Sequence, residues 1–152
     1  MRRFLKWMCV CLAVPFVAIQ FVRPDLATPA VDRSRSIDAR LSIPADVAEI
    51  LDRSCRDCHS NETRWPWYSQ IAPVSWIVAN DVREGRAQMN FSDWAAYTDD
   101  EASARLMYIA FTVRAGRMPL AKYVRMHRNA RLSPEDVNTL AGWAEREVAL
   151  AR

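Results

Sequence analysis

Apolar residues recur at helical spacing from Ile43 to Val148, and no apolar/polar alternation persists for five positions. Pro44 suits a first helical turn, Asp46 and Glu49 favour the positive end of a helix dipole, and Val47, Ile50 and Leu51 share one face. This predicted helix runs directly into Cys55. A second helix is predicted to begin near Pro73 and to carry Trp76, Ala79, Val82 and Arg83, followed by a short segment around Phe91–Trp94. Thr98 with Glu101 forms a capping box for a helix to about Ala115, and Gly116 stands where a helix stop favours glycine. Ser133-Pro134-Glu135-Asp136 opens a last helix, with Val137, Leu140, Ala141, Ala144 and Val148 on one face. Trp143 is expected to pack against the first of these helices, near Ile50 and Leu51. The predicted fold class is all-α.

The N-terminal pattern is different. Trp7 to Val22 is a run of 16 residues interrupted only by Gln20, preceded by Arg2, Arg3 and Lys6. As a helix it would span roughly 24 Å. Counting Phe4 and Leu5, with Lys6 snorkelling, brings it near the length that crosses a bilayer. A cleaved signal peptide has the same charged start, but no convincing small-x-small site follows; Ala27-Thr28-Pro29-Ala30 carries a proline. The expectation is therefore a membrane anchor or signal segment over residues 1–22, a linker over 23–42, and one domain over 43–152. Positive charge before the run predicts a single-pass protein of a bacterial cytoplasmic membrane, with the domain on the periplasmic side.

Composition narrows the function. Across 152 residues, 21 Lys+Arg face 18 Asp+Glu, and removing the three N-terminal cations leaves an even balance. Nucleic acid is not an expected partner. With three glycines in all, there is no dinucleotide or phosphate loop, and no Ser-His-Asp or Cys-His-Asn set stands out. No catalytic residue is expected, and a carrier is favoured over an enzyme.

The chemistry sits in Cys55-Arg56-Asp57-Cys58-His59, a C-x-x-C-H pentad. On one helical turn, two thiols at this spacing can add to the vinyl groups of a haem, while the adjacent imidazole reaches the iron. Structural zinc needs four ligands, usually from two clusters, and no second cluster is present. A redox disulfide of thioredoxin type wants a βαβ setting, which the pattern lacks. Cys9 and Cys11 lie in the apolar run and read as small apolar residues.

The sixth iron ligand must come from His127 or a methionine. Met118, in Gly116-Arg117-Met118-Pro119 between two predicted helices, is the expected distal ligand, with His127 the alternative. Met89, Met107 and Met126 read as ordinary packing residues. Trp65, Trp67, Trp76 and Trp94 fit either core packing or indole bonds to a haem propionate. Seven basic residues between Ala102 and Pro134, with no acid among them, either steer an acidic redox partner or form a solvated face.

The stretch from Cys55 through Ser60-Asn61, Thr63, Trp65-Pro66-Trp67-Tyr68-Ser69, Ile71-Ala72-Pro73 and Ser75-Trp76 resembles the bacterial haem-binding domain family. So do Ile19-Gln20-Phe21, Arg23-Pro24, Asp81-Val82, Gly85-Arg86, Asn90-Phe91-Ser92 and Met118-Pro119. The resemblance implies a cytochrome-c-like, small helical domain around one covalent haem c, attached through Cys55 and Cys58. The expected function is a membrane-anchored monohaem cytochrome that transfers one electron to a redox protein in or at the membrane, with His59 proximal and Met118 distal. The alternative is a haem-based sensor or peroxidase-like enzyme with an open or displaceable sixth ligand.

Overall fold

A computed structural model describes residues 2–151, and every regular element among them is helical. The first, α1, is Arg2–Ile19. A 3-10 turn at Arg33–Arg35 leads into the short α2, Ile37–Arg40. Then come α3, Ala45–Ser54, and α4, Arg56–His59, separated by a break at Cys55 with φ −126° and ψ −44°. Helix α5 is Val74–Gln88, begun by Pro73, and a 3-10 segment covers Phe91–Ala96. Helix α6 is Asp99–Arg114, α7 is Ala121–Met126, and α8 is Pro134–Leu150.

Local chemistry explains most boundaries. The Thr98/Glu101 capping box forms as expected, and Ser133 with Asp136 makes a second one at the start of α8. Gly116 has φ +62°, a conformation nearly free of cost for glycine, and it ends α6. Ala110 of α6 and Ala141 and Ala144 of α8 are fully buried, and such small side chains let these two helices make the most extensive packing in the fold. Helix α3 lays Val47, Ile50 and Leu51 onto the same core, where Trp143 is fully buried and donates its indole N–H to the Ser42 carbonyl. Helix α5 stands apart from that pair and packs on α4.

The expected membrane anchor is corrected by α1. No helix among the described residues is long and apolar enough to cross a membrane. Helix α1 has 18 residues, and Arg2, Arg3 and Lys6 take up its first turns. Trp7–Ile19 leaves 13 residues, about 20 Å of helix, against a hydrocarbon core of about 30 Å. The far end of the expected span is used otherwise. The Gln20 side chain exchanges hydrogen bonds with the backbone of Ala72, and the Trp76 indole donates to the Val22 carbonyl. The single-pass placement with a periplasmic domain falls with the anchor. Met1 and Arg152, the outer ends of the expected segments, lie outside the described residues.

The segment expected as a linker is irregular over residues 23–32 and then folds. Ile37 is fully buried in the core, Arg35 pairs with Asp93, and Asp38 pairs with Arg56. Ile37, with Leu41 packed beside it against the core, gives too short an apolar pattern to read as a helix face. Helix α7 was also not predicted, because it has no side-chain cap and no buried residue.

If Ile37 is a core residue, Ile37→Ala should destabilise the chain by about 2–4 kcal/mol, read as a lower denaturant midpoint at unchanged slope. A change within about 0.5 kcal/mol would mean that the segment is loosely attached.

Candidate functional site

The break at Cys55 starts a single tight turn. The amides of Cys58 and His59 both donate to the Cys55 carbonyl, at 3.2 and 3.0 Å. This turn sets Cys55, Cys58 and His59 along one wall of a cavity of about 420 Å³. Val78, Val82 and Gly85 of α5 make a second wall, and residues 63–68 a third. Met118, Leu120, Tyr123 and His127 also line it. The volume lies within the range of small-molecule and cofactor sites.

His59 is oriented for ligation. Its Nδ1 lies 3.2 Å from the Met89 carbonyl, an acceptor, so Nδ1 carries the proton and Nε2 keeps a lone pair. Burial pushes the imidazole below its ordinary pKa, which keeps it neutral. Phe91 packs against the ring at 5.8 Å.

Both thiols of the pentad are free. Burial pushes Cys55 up to about 12, with Cys58 beside it adding to the effect. Burial, then the Asp81 and Asp57 carboxylates, pushes Cys58 up to about 11. Both are therefore protonated thiols at neutral pH. Thioredoxin-type chemistry needs the opposite, a thiolate favoured by its surroundings.

Met118 and His127 both line the cavity, and Met126 joins them. Met118 is half-buried on the cavity wall, held by the turn at Gly116 and by Arg117 and Met118 amides donating to the Thr112 carbonyl. Met126, expected as a packing residue, is 57% exposed and lines the same cavity, while Met89 is buried and Met107 exposed. His127 also reaches the cavity, but its Nε2 shares a 2.6 Å hydrogen bond with the Tyr68 hydroxyl. Its ring stacks on Tyr123 at 4.4 Å. Using Nε2 as a metal ligand would break that bond, whereas the Met118 thioether has no such partner to give up.

Among the described residues, no three His, Cys, Asp or Glu side chains gather to hold a bare metal ion. The donor set is instead one imidazole, two neutral thiols and a thioether around a mainly apolar cavity. A family model described as a haem-binding domain matches residues 14–146. The chain belongs to the haem-binding domain family. No curated protein and no solved structure matches it.

A haem fits this domain on its own chemistry. The two thiols and the Nε2 lone pair come from one turn, and the cavity beside them has an apolar lining. Trp65, between the cavity residues Arg64 and Pro66, has a buried indole N–H without a protein partner, although its side chain does not line the cavity. Trp76 and Trp143 donate to backbone carbonyls instead, Trp94 is buried in the core, and Trp67 is exposed.

Several family residues brace the turn, and of these Thr63 also lines the cavity. Ser60 donates its hydroxyl to the Arg56 carbonyl, and Thr63 donates to the Asp57 carbonyl. Arg86 of α5 donates to the Ser60 carbonyl and to the Thr63 hydroxyl. Ser92 accepts from the Asn61 amide, and Asn90 donates to the Asn61 side chain. The loop after His59 is thus tied from two sides. Gly85 lets α5 approach, because a Cβ there would lie 2.6 Å from the Cys58 carbonyl oxygen. Its signal was present in the sequence as one of three glycines, set inside a helix.

The basic stretch is partly spent within the fold. Arg114 pairs with Glu145, Lys122 with Asp81 at 2.7 Å, and Arg105 lies over the Tyr97 ring. Arg117, Arg125, Arg128 and Arg131 form no ion pair among the described residues.

Gly85→Ala should push α5 off the pentad turn, costing about 1–3 kcal/mol as overpacking does. Haem retention should fall with it. Gly142→Ala meets only the end of Arg146 at 3.4 Å and should be neutral or slightly stabilising. Equal effects in thermal unfolding and haem titration would contradict the role given to Gly85.

Proposed function

We propose that the chain is a monohaem c-type cytochrome whose work is one-electron transfer, with the haem-binding unit reaching back from residue 43 to about Gln20. The observation that carries this reading is the gathering of Cys55, Cys58, His59 and Met118 on the wall of one cavity. Each thiol would add its S–H across a vinyl double bond. Each addition would form a C–S bond and move the thiol hydrogen to the neighbouring vinyl carbon, with no net gain or loss of electrons. His59 would give Nε2 as the proximal ligand, its ring fixed by the Met89 carbonyl. Met118 would give its thioether on the distal side. The bound group supplies a one-electron couple, and His/Met ligation favours a high potential.

The protein around the site does the rest. The mainly apolar lining would limit reorganisation around a bound haem when its charge changes. Arg117, Arg125 and Arg128, near the distal side in sequence, suit an acidic redox protein as partner.

A haem sensor or peroxidase-like enzyme is the second reading. It is favoured by Met126 as a second thioether on the wall and by the polar Tyr68–His127 pair facing the cavity. Such a site would accept an external ligand in place of Met118.

The full chain, made in a host with c-type maturation, should carry one haem that survives acid–solvent extraction. Cys55→Ala with Cys58→Ala should release it, as seen by mass spectrometry. The oxidised protein should show a weak long-wavelength sulfur-to-iron band that Met118→Ala removes. A high-spin spectrum of the unsubstituted chain would move the assignment to the second reading, and a bis-histidine spectrum to His127.

A further inference from the structure

Helix α7 is the least supported part of the cavity. It has six residues, no side-chain cap and no buried side chain. Nevertheless Leu120, Lys122, Tyr123, Met126 and His127 line the cavity. A helix this short does not persist unaided in water. Three polar ties hold it, each to a different element. Lys122 Nζ donates to Asp81 on α5 at 2.7 Å, and His127 shares its 2.6 Å bond with Tyr68. The third is different in kind. The Tyr123 hydroxyl donates to Asp57 Oδ2 at 2.7 Å, and Asp57 is buried inside the turn that carries both thiols.

The ties are unequal. The lysine of the Lys122–Asp81 pair is half exposed, and surface ion pairs contribute little. A hydroxyl donating to a buried carboxylate is charge-assisted and stronger. Asp57 is also held from its other oxygen, to which Arg64 donates Nε at 2.9 Å. The stack of Tyr123 on His127, inclined by 18°, carries the constraint on to Tyr68. Met118 sits three residues before α7, on the loop that this helix anchors.

We propose that Tyr123, through its hydroxyl on Asp57, is a positioning residue for the distal side of the haem site. It latches α7 and the Met118 loop to the thiol-bearing turn and sets how firmly the sixth position is closed to outside ligands. The latch rests on the haem reading above and adds to it a residue outside the ligand set. Asp57 occupies a variable position of the C-x-x-C-H pentad, so the motif itself gives no hint of the role.

Tyr123→Phe in the full, haem-loaded chain removes the hydroxyl and keeps the stacked ring. Thioether-bound haem should stay at the unsubstituted level by mass, while added imidazole binds the ferric protein about fivefold more tightly. Thr98→Ala, which weakens the α6 cap away from the cavity, should leave imidazole affinity unchanged. Asp57→Asn keeps an acceptor without the charge and should fall between Tyr123→Phe and the unsubstituted chain, which preserves the test if Tyr123→Phe loads poorly. Unchanged imidazole affinity in both site variants, or an equal shift in Thr98→Ala, would overturn the latch. Absence of thioether haem from the unsubstituted chain would overturn the function proposed above, and the latch with it.

Discussion

The site depends on how closely α5 lies against the turn that carries the thiols. A side chain at Gly85 would drive a carbon to 2.6 Å from the Cys58 carbonyl oxygen, so the contact is backbone against backbone. That approach brings Arg86 within reach of the Ser60 carbonyl and the Thr63 hydroxyl. It also places Val78 and Val82 on the cavity that His59 lines. Proximal geometry follows from the same packing, since the Met89 carbonyl that orients His59 lies just beyond the end of α5. Widen this one contact and the imidazole, the loop after it and one cavity wall lose their reference together.

The main helices were legible because each carries a strong local signal. The Thr98/Glu101 capping box, Gly116 at the end of α6, and the apolar face of α8 all translate directly into structure. The pentad was legible for the same reason, being a contiguous motif. What could not be read were features made by distant pairs. Ile37 and Leu41 are too few apolar positions to form a periodic pattern, and their burial depends on elements far along the chain. Helix α7 has no periodic apolar face to detect, and Met126 became a cavity residue because α7 folds where it does. The Tyr123–Asp57 bond joins residues 66 apart.

The N-terminal run shows the limit of hydropathy counted along a sequence. The expected span includes Gln20–Val22, but α1 stops at Ile19 and the following residues bind Ala72 and Trp76 instead. A polar side chain that read as an interruption in an apolar span is a bidentate tie to the domain. The same tie explains why Gln20 and the residues around it belong to the family pattern: they dock on the loop that precedes α5.

The central claim is a single haem held between the Cys55–His59 turn and the Met118 loop, with nitrogen on one side of the iron and sulfur on the other. X-ray absorption at the iron edge of the loaded, full-length protein tests it most directly. The account predicts one sulfur scatterer in the first shell alongside nitrogen donors, lost in Met118→Ala and retained in Met126→Ala. An all-nitrogen shell in the unsubstituted protein, or a sulfur that persists without Met118, would contradict it.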